Sequence, residues 1–119
     1  MKTLLGLTLL ALAPLGTLAA AERFACNANA LNKPERARHQ EQTLALLGAI
    51  DEKRELAEGY AFRLPAGRLV TAAEWVSSER RCCPFFTFVL EQTRDGGPLW
   101  LRITGPEGVK AFMREEFGL

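Results

Sequence analysis

The sequence is poor in the residues that most catalytic and metal sites use. Its 119 residues include three cysteines and a single histidine, and the formal net charge is only +1. A nearly neutral chain has no strongly basic surface, so we expect neither nucleic acid nor an anionic membrane as its main partner. No Ser/His/Asp or Cys/His pairing is evident, and no repeat or low-complexity segment is visible. The three cysteines therefore carry most of the chemical information.

The N-terminal segment has the pattern of an export signal. Lys2 precedes an apolar stretch, and Ala19-Ala20-Ala21 fits the small-x-small cleavage rule. We expect residues 1–21 to be a signal peptide and residues 22–119 to be one periplasmic or secreted domain, with no membrane contact beyond that segment. A retained membrane anchor is the alternative. In an oxidising compartment thiols are driven toward disulfides, yet three cysteines cannot all pair within one chain.

Two helices are predicted in the first part of the domain. Asn32 followed by Glu35 forms a capping box, which indicates the start of a helix whose buried stripe we place at its second half. That predicted stripe consists of Leu44, Leu47 and Ile50. Apolar residues recur at helical spacing over residues 70–81 and predict a second helix, which Pro84 ends.

The extended patterns predict two hairpins. Residues 53–64 alternate around the Glu58-Gly59 turn signal, although their first arm could instead extend the first helix. Residues 85–93 and 99–104 are the clearest strands, joined at Asp95-Gly96-Gly97. The run Thr104-Gly105-Pro106-Glu107 repeats the capping-box pattern and predicts a last helix. The order α-ββ-α-ββ-α predicts an α+β domain in which helices pack on a four-stranded, mainly antiparallel sheet.

Cys82 and Cys83 are adjacent, which restricts how they can pair. Neighbouring Cα atoms lie about 3.8 Å apart, whereas disulfides prefer about 5.5–6 Å, so the two could bridge each other only in a strained ring. Three states are open. Cys26 bridges one of them and leaves the other free; or two or three thiolates bind a soft ion such as Hg(II), Cu(I) or As(III); or a free thiol exchanges with disulfides of a partner.

The surroundings of the pair do not indicate an activated nucleophile. A helix C-terminus carries partial negative charge and disfavours a thiolate. We expect Glu79 and the arginines after it to form a solvated last turn, and His39 to be a solvated surface residue rather than a zinc ligand. Zinc is less favoured because no pair of cysteines has the usual spacing. The phenylalanines that follow, over residues 85–88, would bury the thiols.

A family resemblance is carried by two motifs and by three further segments, residues 35–39, 59–65 and 100–108. The two motifs are Cys26-Asn27-Ala28-Asn29-Ala30-Leu31 and Glu79-Arg80-Arg81-Cys82-Cys83-Pro84-Phe85. Together these stretches resemble a family of small bacterial proteins that has no established function. The resemblance covers nearly all of residues 22–119. It implies that the cysteine pair belongs with Cys26 in one recurring design, and it implies no activity or catalytic residue.

From these observations we predict a small exported protein that binds a soft metal or metalloid ion. Cys82 and Cys83 would be ligands and Cys26 the third, and the protein would sequester or handle the ion without turnover. No other cofactor is expected. The alternatives are a thiol–disulfide redox protein and a disulfide-stabilised interaction module without chemistry.

Overall fold

Three helices and four strands make up the part of the chain that the computed structural model describes, residues 24–119. The predicted signal peptide, residues 1–21, lies outside the described residues. The helices are α1 (Lys33–Ala49), α2 (Leu69–Cys82) and α3 (Val109–Phe117), with short 3₁₀ turns at Ala28–Ala30 and Ala66–Arg68. The strands are β1 (Glu52–Leu56), β2 (Gly59–Leu64), β3 (Thr87–Gln92) and β4 (Leu99–Thr104). Within residues 24–119, no helix has the length and apolar character needed to span a bilayer.

The four strands form one antiparallel sheet in the order β1-β2-β4-β3, which confirms the predicted α+β class and element order. Leu56 pairs with Gly59 across a two-residue turn that closes the first hairpin. A Cβ atom at Gly59 would lie 1.9 Å from the carbonyl oxygen of Ile103, so only glycine fits where β2 meets β4. The second hairpin turns at Asp95 and Gly96, both with positive φ.

The core lies between one face of the sheet and the helices. Alternating side chains of the two central strands are buried there, because successive residues of a strand point to opposite faces. These side chains are Tyr60, Phe62 and Leu64 of β2 and Leu99, Leu101 and Ile103 of β4. On the opposite face the guanidinium of Arg54 lies 4.5 Å from the ring centre of Trp100.

The capping box of α1 is confirmed, but its predicted buried stripe is partly wrong. The Asn32 side chain accepts a hydrogen bond from the backbone of Glu35, whose carboxylate in turn accepts from the backbone of Asn32. Leu44 is 66% exposed, and Leu46 is buried instead. The side of α1 that faces α2 also includes the polar, half-buried Thr43, whose hydroxyl donates to the His39 carbonyl and accepts from the Trp75 indole. The prediction considered apolar residues only, and it therefore missed the contact made by Thr43.

The predicted start of the last helix is also wrong. Helix α3 begins at Val109 after Gly108, a left-handed N-cap residue without a side-chain cap. Thr104 is instead the last residue of β4, and the backbone N–H of Gly105 donates to the carbonyl of Glu58. Sheet pairing thus holds Thr104 in β4, and the chain turns over residues 106–108, where the N–H of Val109 donates to the carbonyl of Pro106, before the helix begins. The predicted buried side of the helix is confirmed, since Val109, Phe112 and Met113 are all buried.

Candidate functional site

Cys26 and Cys83 form a disulfide at the end of α2, with their Cα atoms 4.6 Å apart. Helix α2 ends at Cys82, and Cys83 is its C-cap residue, with a non-helical backbone (φ −122°, ψ 73°) before Pro84. This confirms the predicted end of the helix before Pro84. The turn from α2 into β3, residues 82–86, is called the corner below. Of the three states open from the sequence, the structure has the Cys26 bridge. Cys82 is a free, buried thiol.

Backbone and side-chain hydrogen bonds hold the segment of Cys26 against this corner. The N–H of Asn27 donates to the carbonyl of Cys82 at 2.8 Å. Arg81 donates to the carbonyl of Ala30 at 2.8 Å and forms an ion pair with Glu35 at 2.5 Å. These contacts hold Cys26 next to Cys83, and they do not depend on the disulfide.

Glu79 is buried beside the disulfide, which corrects the expectation that it is solvated, whereas Arg80 and Arg81 in the same last turn are exposed as expected. It is 6% exposed, and its Oε1 lies 3.3 Å from Sγ of Cys83, four residues further along the helix. In the disulfide Cys83 carries no hydrogen on sulfur. A hydrogen bond across this contact therefore forms only when the bridge is reduced or when Glu79 holds a proton.

His39 pairs with the other oxygen of the same carboxylate, which corrects its predicted surface position. Nε2 of His39 contacts Oε2 of Glu79, and the His39 side chain is only 13% exposed. Its ring stacks on Trp75 with centroids 5.7 Å apart. Its Nδ1 is buried without a hydrogen-bond partner among the described residues. The packing of α1 on α2 places this single histidine in the site, which its charged sequence neighbours did not indicate.

Cys82 is a protonated thiol at neutral pH. Burial raises its pKa most, the carboxylate of Glu79 raises it further, and Arg81 opposes the shift. This direction agrees with the prediction that the helix end does not activate a nucleophile. Both cysteines of the pair are buried in the core that includes Phe86, as the neighbouring phenylalanines predicted.

A pocket of about 250 Å³ opens onto the disulfide. Cys26, Cys83, Cys82, Glu79, His39 and Glu116 are among the residues that line it. Cys26 is half-buried whereas Cys83 is 1% exposed, so Cys26 presents the more accessible sulfur. None of the described residues that line the pocket is a lysine or an arginine.

The structure brings two of the three predicted metal ligands together and adds a third group. Ligand atoms of Cys26, Cys83 and Glu79 all lie within 4.8 Å of one another. In the disulfide state the two sulfurs are bonded to each other, so neither is a thiolate. Cys82 lines the same pocket, but this cluster contains Glu79 in its place. In the sequence, the i, i+4 spacing of Glu79 and Cys83 was the signal that these two side chains lie next to each other.

Comparisons with protein-family models, with curated proteins and with solved structures found no match. The resemblance to a family of small bacterial proteins therefore stays a prediction, and function rests on the site itself.

Proposed function

We propose that the protein is a thiol–disulfide redox protein, with the Cys26–Cys83 disulfide as its redox centre. The position of the Glu79 carboxylate, between the Cys83 sulfur and the His39 imidazole, carries the proposal. A disulfide that only staples two segments needs no ionisable groups buried beside it. Even a paired carboxylate and imidazole lose hydration when they are buried, so their presence at the sulfur supports a role in proton transfer.

The accessible sulfur defines the first step. A thiolate of an incoming thiol attacks Sγ of Cys26, a new disulfide forms between that thiol and Cys26, and the Cys26–Cys83 bond breaks. The electron pair of the broken bond leaves on Cys83 as a thiolate. Since Cys83 is fully buried, attack there would require the incoming thiol to displace core side chains.

The His39–Glu79 pair is the nearest proton source for the departing Cys83 thiolate. One carboxylate oxygen faces the sulfur and the other faces the imidazole, so a proton held between His39 and Glu79 has a short route to Cys83. Once protonated, the Cys83 thiol can donate to Glu79. The carboxylate thereby stabilises the reduced site.

A second thiolate completes the reaction. It attacks the external sulfur of the mixed disulfide, releases the two external thiols as their own disulfide, and leaves Cys26 as a thiolate that takes a proton from water. The protein disulfide gains two electrons and two protons, and two external thiols lose them. The reverse sequence oxidises a dithiol substrate, which suits a protein exported to an oxidising compartment, periplasmic or secreted.

The reduction potential tests the proposal. Protein equilibrated with defined glutathione ratios is quenched with a maleimide, and the oxidised fraction is read by mass spectrometry. We expect a potential between about −270 and −120 mV, the range of redox proteins, whereas a structural bridge lies below about −300 mV.

Trapping supplies the second readout. In a Cys82→Ser background, Cys83→Ser should accumulate a mixed disulfide with glutathione at Cys26, and Cys26→Ser should not accumulate one at Cys83. A potential below about −300 mV without trapping would show that the bridge is only structural.

Binding of a soft ion by the reduced protein is the second candidate function. It is supported by the cluster of Cys26, Cys83 and Glu79, whose ligand atoms lie within 4.8 Å of one another. Thiolates bind Hg(II), Cu(I) and As(III) strongly, and Cys82 in the same pocket is available as a further ligand.

Titration of reduced protein with these three ions tests the second candidate. We expect Cys26→Ser and Cys83→Ser to weaken binding, and Cys82→Ser to show whether the third thiol takes part. Unchanged affinity in both Cys82→Ser and Cys83→Ser would rule out the predicted three-cysteine site.

A further inference from the structure

We infer that the pocket over the disulfide accepts small thiols that carry a positive charge, such as aminothiols, in preference to anionic thiols. The inference names the substrate class of the proposed redox function and rests on that function. Its basis is the size of the pocket and the sign of the charges that line it.

The pocket over the disulfide has room only for a small group. Its volume of about 250 Å³ lies below the range of about 300–1,000 Å³ for drug-sized ligands. A thiol that reaches Cys26 through it therefore places its sulfur and the atoms next to that sulfur inside the pocket. A charge a few bonds away from the sulfur then lies within the pocket during the attack.

The charges of the lining are acidic. Glu79 and Glu116 are the carboxylates, and His39 is the single basic group, already paired with Glu79. Among the ion pairs of residues 24–119, none includes Glu116. Glu116 is exposed as a residue, yet its partial burial raises its pKa, and the carboxylates of Glu79 and Glu115 raise that pKa further, as expected where negative charge is not compensated.

The chemistry of thiol exchange increases the preference for positively charged thiols. The attacking species is a thiolate, and negative charge spreads over three sulfurs as the bond to Cys83 breaks. An aminothiol attacks as a neutral zwitterion, whereas a carboxylated thiol attacks as a dianion. The free carboxylate of Glu116 at the pocket therefore repels the second and attracts the ammonium group of the first.

Three small thiols test the inference: cysteamine, which is cationic; 2-mercaptoethanol, which is neutral; and 3-mercaptopropionate, which is anionic. The rate of reduction of the Cys26–Cys83 bridge is measured with each in excess and corrected for the thiolate fraction. Each rate is then divided by the rate for 2-hydroxyethyl disulfide, which removes differences in intrinsic reactivity. We expect cysteamine to exceed 3-mercaptopropionate by about tenfold at low salt, and less at 0.5 M KCl.

Glu116→Gln should reduce this preference to about twofold to threefold, because it removes the unpaired charge from the pocket. Glu107→Gln is the matched control. It removes the same charge before the opposite end of α3, outside the pocket, and should keep the preference of the wild type. Equal corrected rates for the three thiols, or an unchanged ratio in Glu116→Gln, would overturn the inference.

A failure of the charge preference can be distinguished from a failure of the proposed redox function. The relative rates of reduction by the three thiols can be measured even on a disulfide that is only structural. A bridge with a potential below about −300 mV that still prefers cysteamine contradicts the redox function alone. A bridge with a potential in the range of redox proteins that reacts equally with all three thiols contradicts the charge preference alone.

Discussion

Oε1 of Glu79 lies 3.3 Å from Sγ of Cys83, one helical turn further along α2. The contact has different consequences in the two redox states. In the disulfide the sulfur is a weak acceptor, and the carboxylate gains little from it. In the dithiol the S–H can donate to the carboxylate, a charge-assisted bond that only the reduced form has. Glu79 therefore couples the redox state of the bridge to the electrostatics of the helix end.

Glu79→Gln should make the reduction potential of the bridge more negative. The amide keeps the shape of the side chain but loses the charge-assisted bond to the Cys83 thiol, which destabilises the reduced form by about 1 kcal/mol. For a two-electron couple this corresponds to a shift on the order of 20 mV. Glutathione equilibration of both proteins measures it.

Glu74→Gln is the control for this shift, because Glu74 lies on the same helix but pairs with Arg38 at the surface. It should leave the potential unchanged. A shift of Glu79→Gln toward positive values, or no shift, would show that the carboxylate does not stabilise the reduced site.

Removal of the disulfide should destabilise the fold substantially. The bridge joins residues 57 positions apart, and the chain-entropy model gives about 4 kcal/mol for such a loop. We expect the double variant Cys26→Ala/Cys83→Ala to lose about this much free energy of unfolding in urea. Cys82→Ala keeps the bridge and controls for the loss of a buried sulfur. A loss below about 1 kcal/mol would mean that the unfolded chain gains little freedom when the bridge is absent.

The free thiol of Cys82 should react slowly with alkylating agents in the folded protein. Burial and Glu79 raise its pKa above its ordinary value of about 9, so little thiolate is present at pH 7.5. We expect iodoacetamide to modify Cys82 at least tenfold more slowly in the folded protein than in urea, as followed by mass spectrometry. Rapid alkylation of the folded protein at pH 7.5 would contradict both the burial and the raised pKa.

The raised pKa of Cys82 also makes the free energy of unfolding depend on pH in the alkaline range. Because the folded state holds the Cys82 proton more tightly than the unfolded state, this contribution is complete below the ordinary pKa of about 9 and is lost as pH rises through the folded pKa. Cys82→Ser should lose less stability than the wild type between pH 8 and pH 10. Identical slopes in the two proteins would show that the thiol titrates alike in both states.

Asn32→Ala should weaken the start of α1 by about 1 kcal/mol, because the capping box loses the acceptor for the Glu35 backbone N–H. The pKa of Glu35 is lowered by its hydrogen bond from the Asn32 backbone first and by Arg81 second. The contribution of the Glu35 carboxylate to the stability of the fold is therefore present above its ordinary pKa and is lost as pH falls through the lowered pKa.

Urea unfolding at pH 7 and pH 3 measures the effect of this substitution. Asn32→Ser, which keeps a capping oxygen, is the control and should recover most of the stability. The difference between wild type and Asn32→Ala should shrink as the pH is lowered, because the Glu35 carboxylate is progressively protonated. An Asn32→Ala variant as stable as Asn32→Ser would show that the cap is not needed.

The strands and helices could be predicted because their signals are local. Alternation predicted both hairpins, spacing predicted α2, and the capping box predicted the start of α1. The start of α3 could not be predicted in this way, because pairing of Thr104 in the sheet outweighs the capping pattern that begins there.

The site was harder to predict because it depends on how α1 lies against α2. The corner and the three cysteines were visible in the sequence. The choice of Cys83 over Cys82 depends on where the last turn of α2 directs each side chain, and sequence spacing left both open. His39 and Glu79 are forty residues apart and come together only through helix packing. Two polar residues in charged segments gave no local sign of burial.

The hydrogen bond from Asn27 to the Cys82 carbonyl has a kinetic consequence. With Ala30 also held by Arg81, the chain on the C-terminal side of Cys26 stays attached to the corner after reduction. Cys26 then meets Cys83 at an effective concentration set by a tether of one residue, far above that of any thiol in solution. Re-formation of the bridge is therefore a unimolecular event of a folded molecule, and a mixed disulfide at Cys26 is short-lived unless Cys83 is absent.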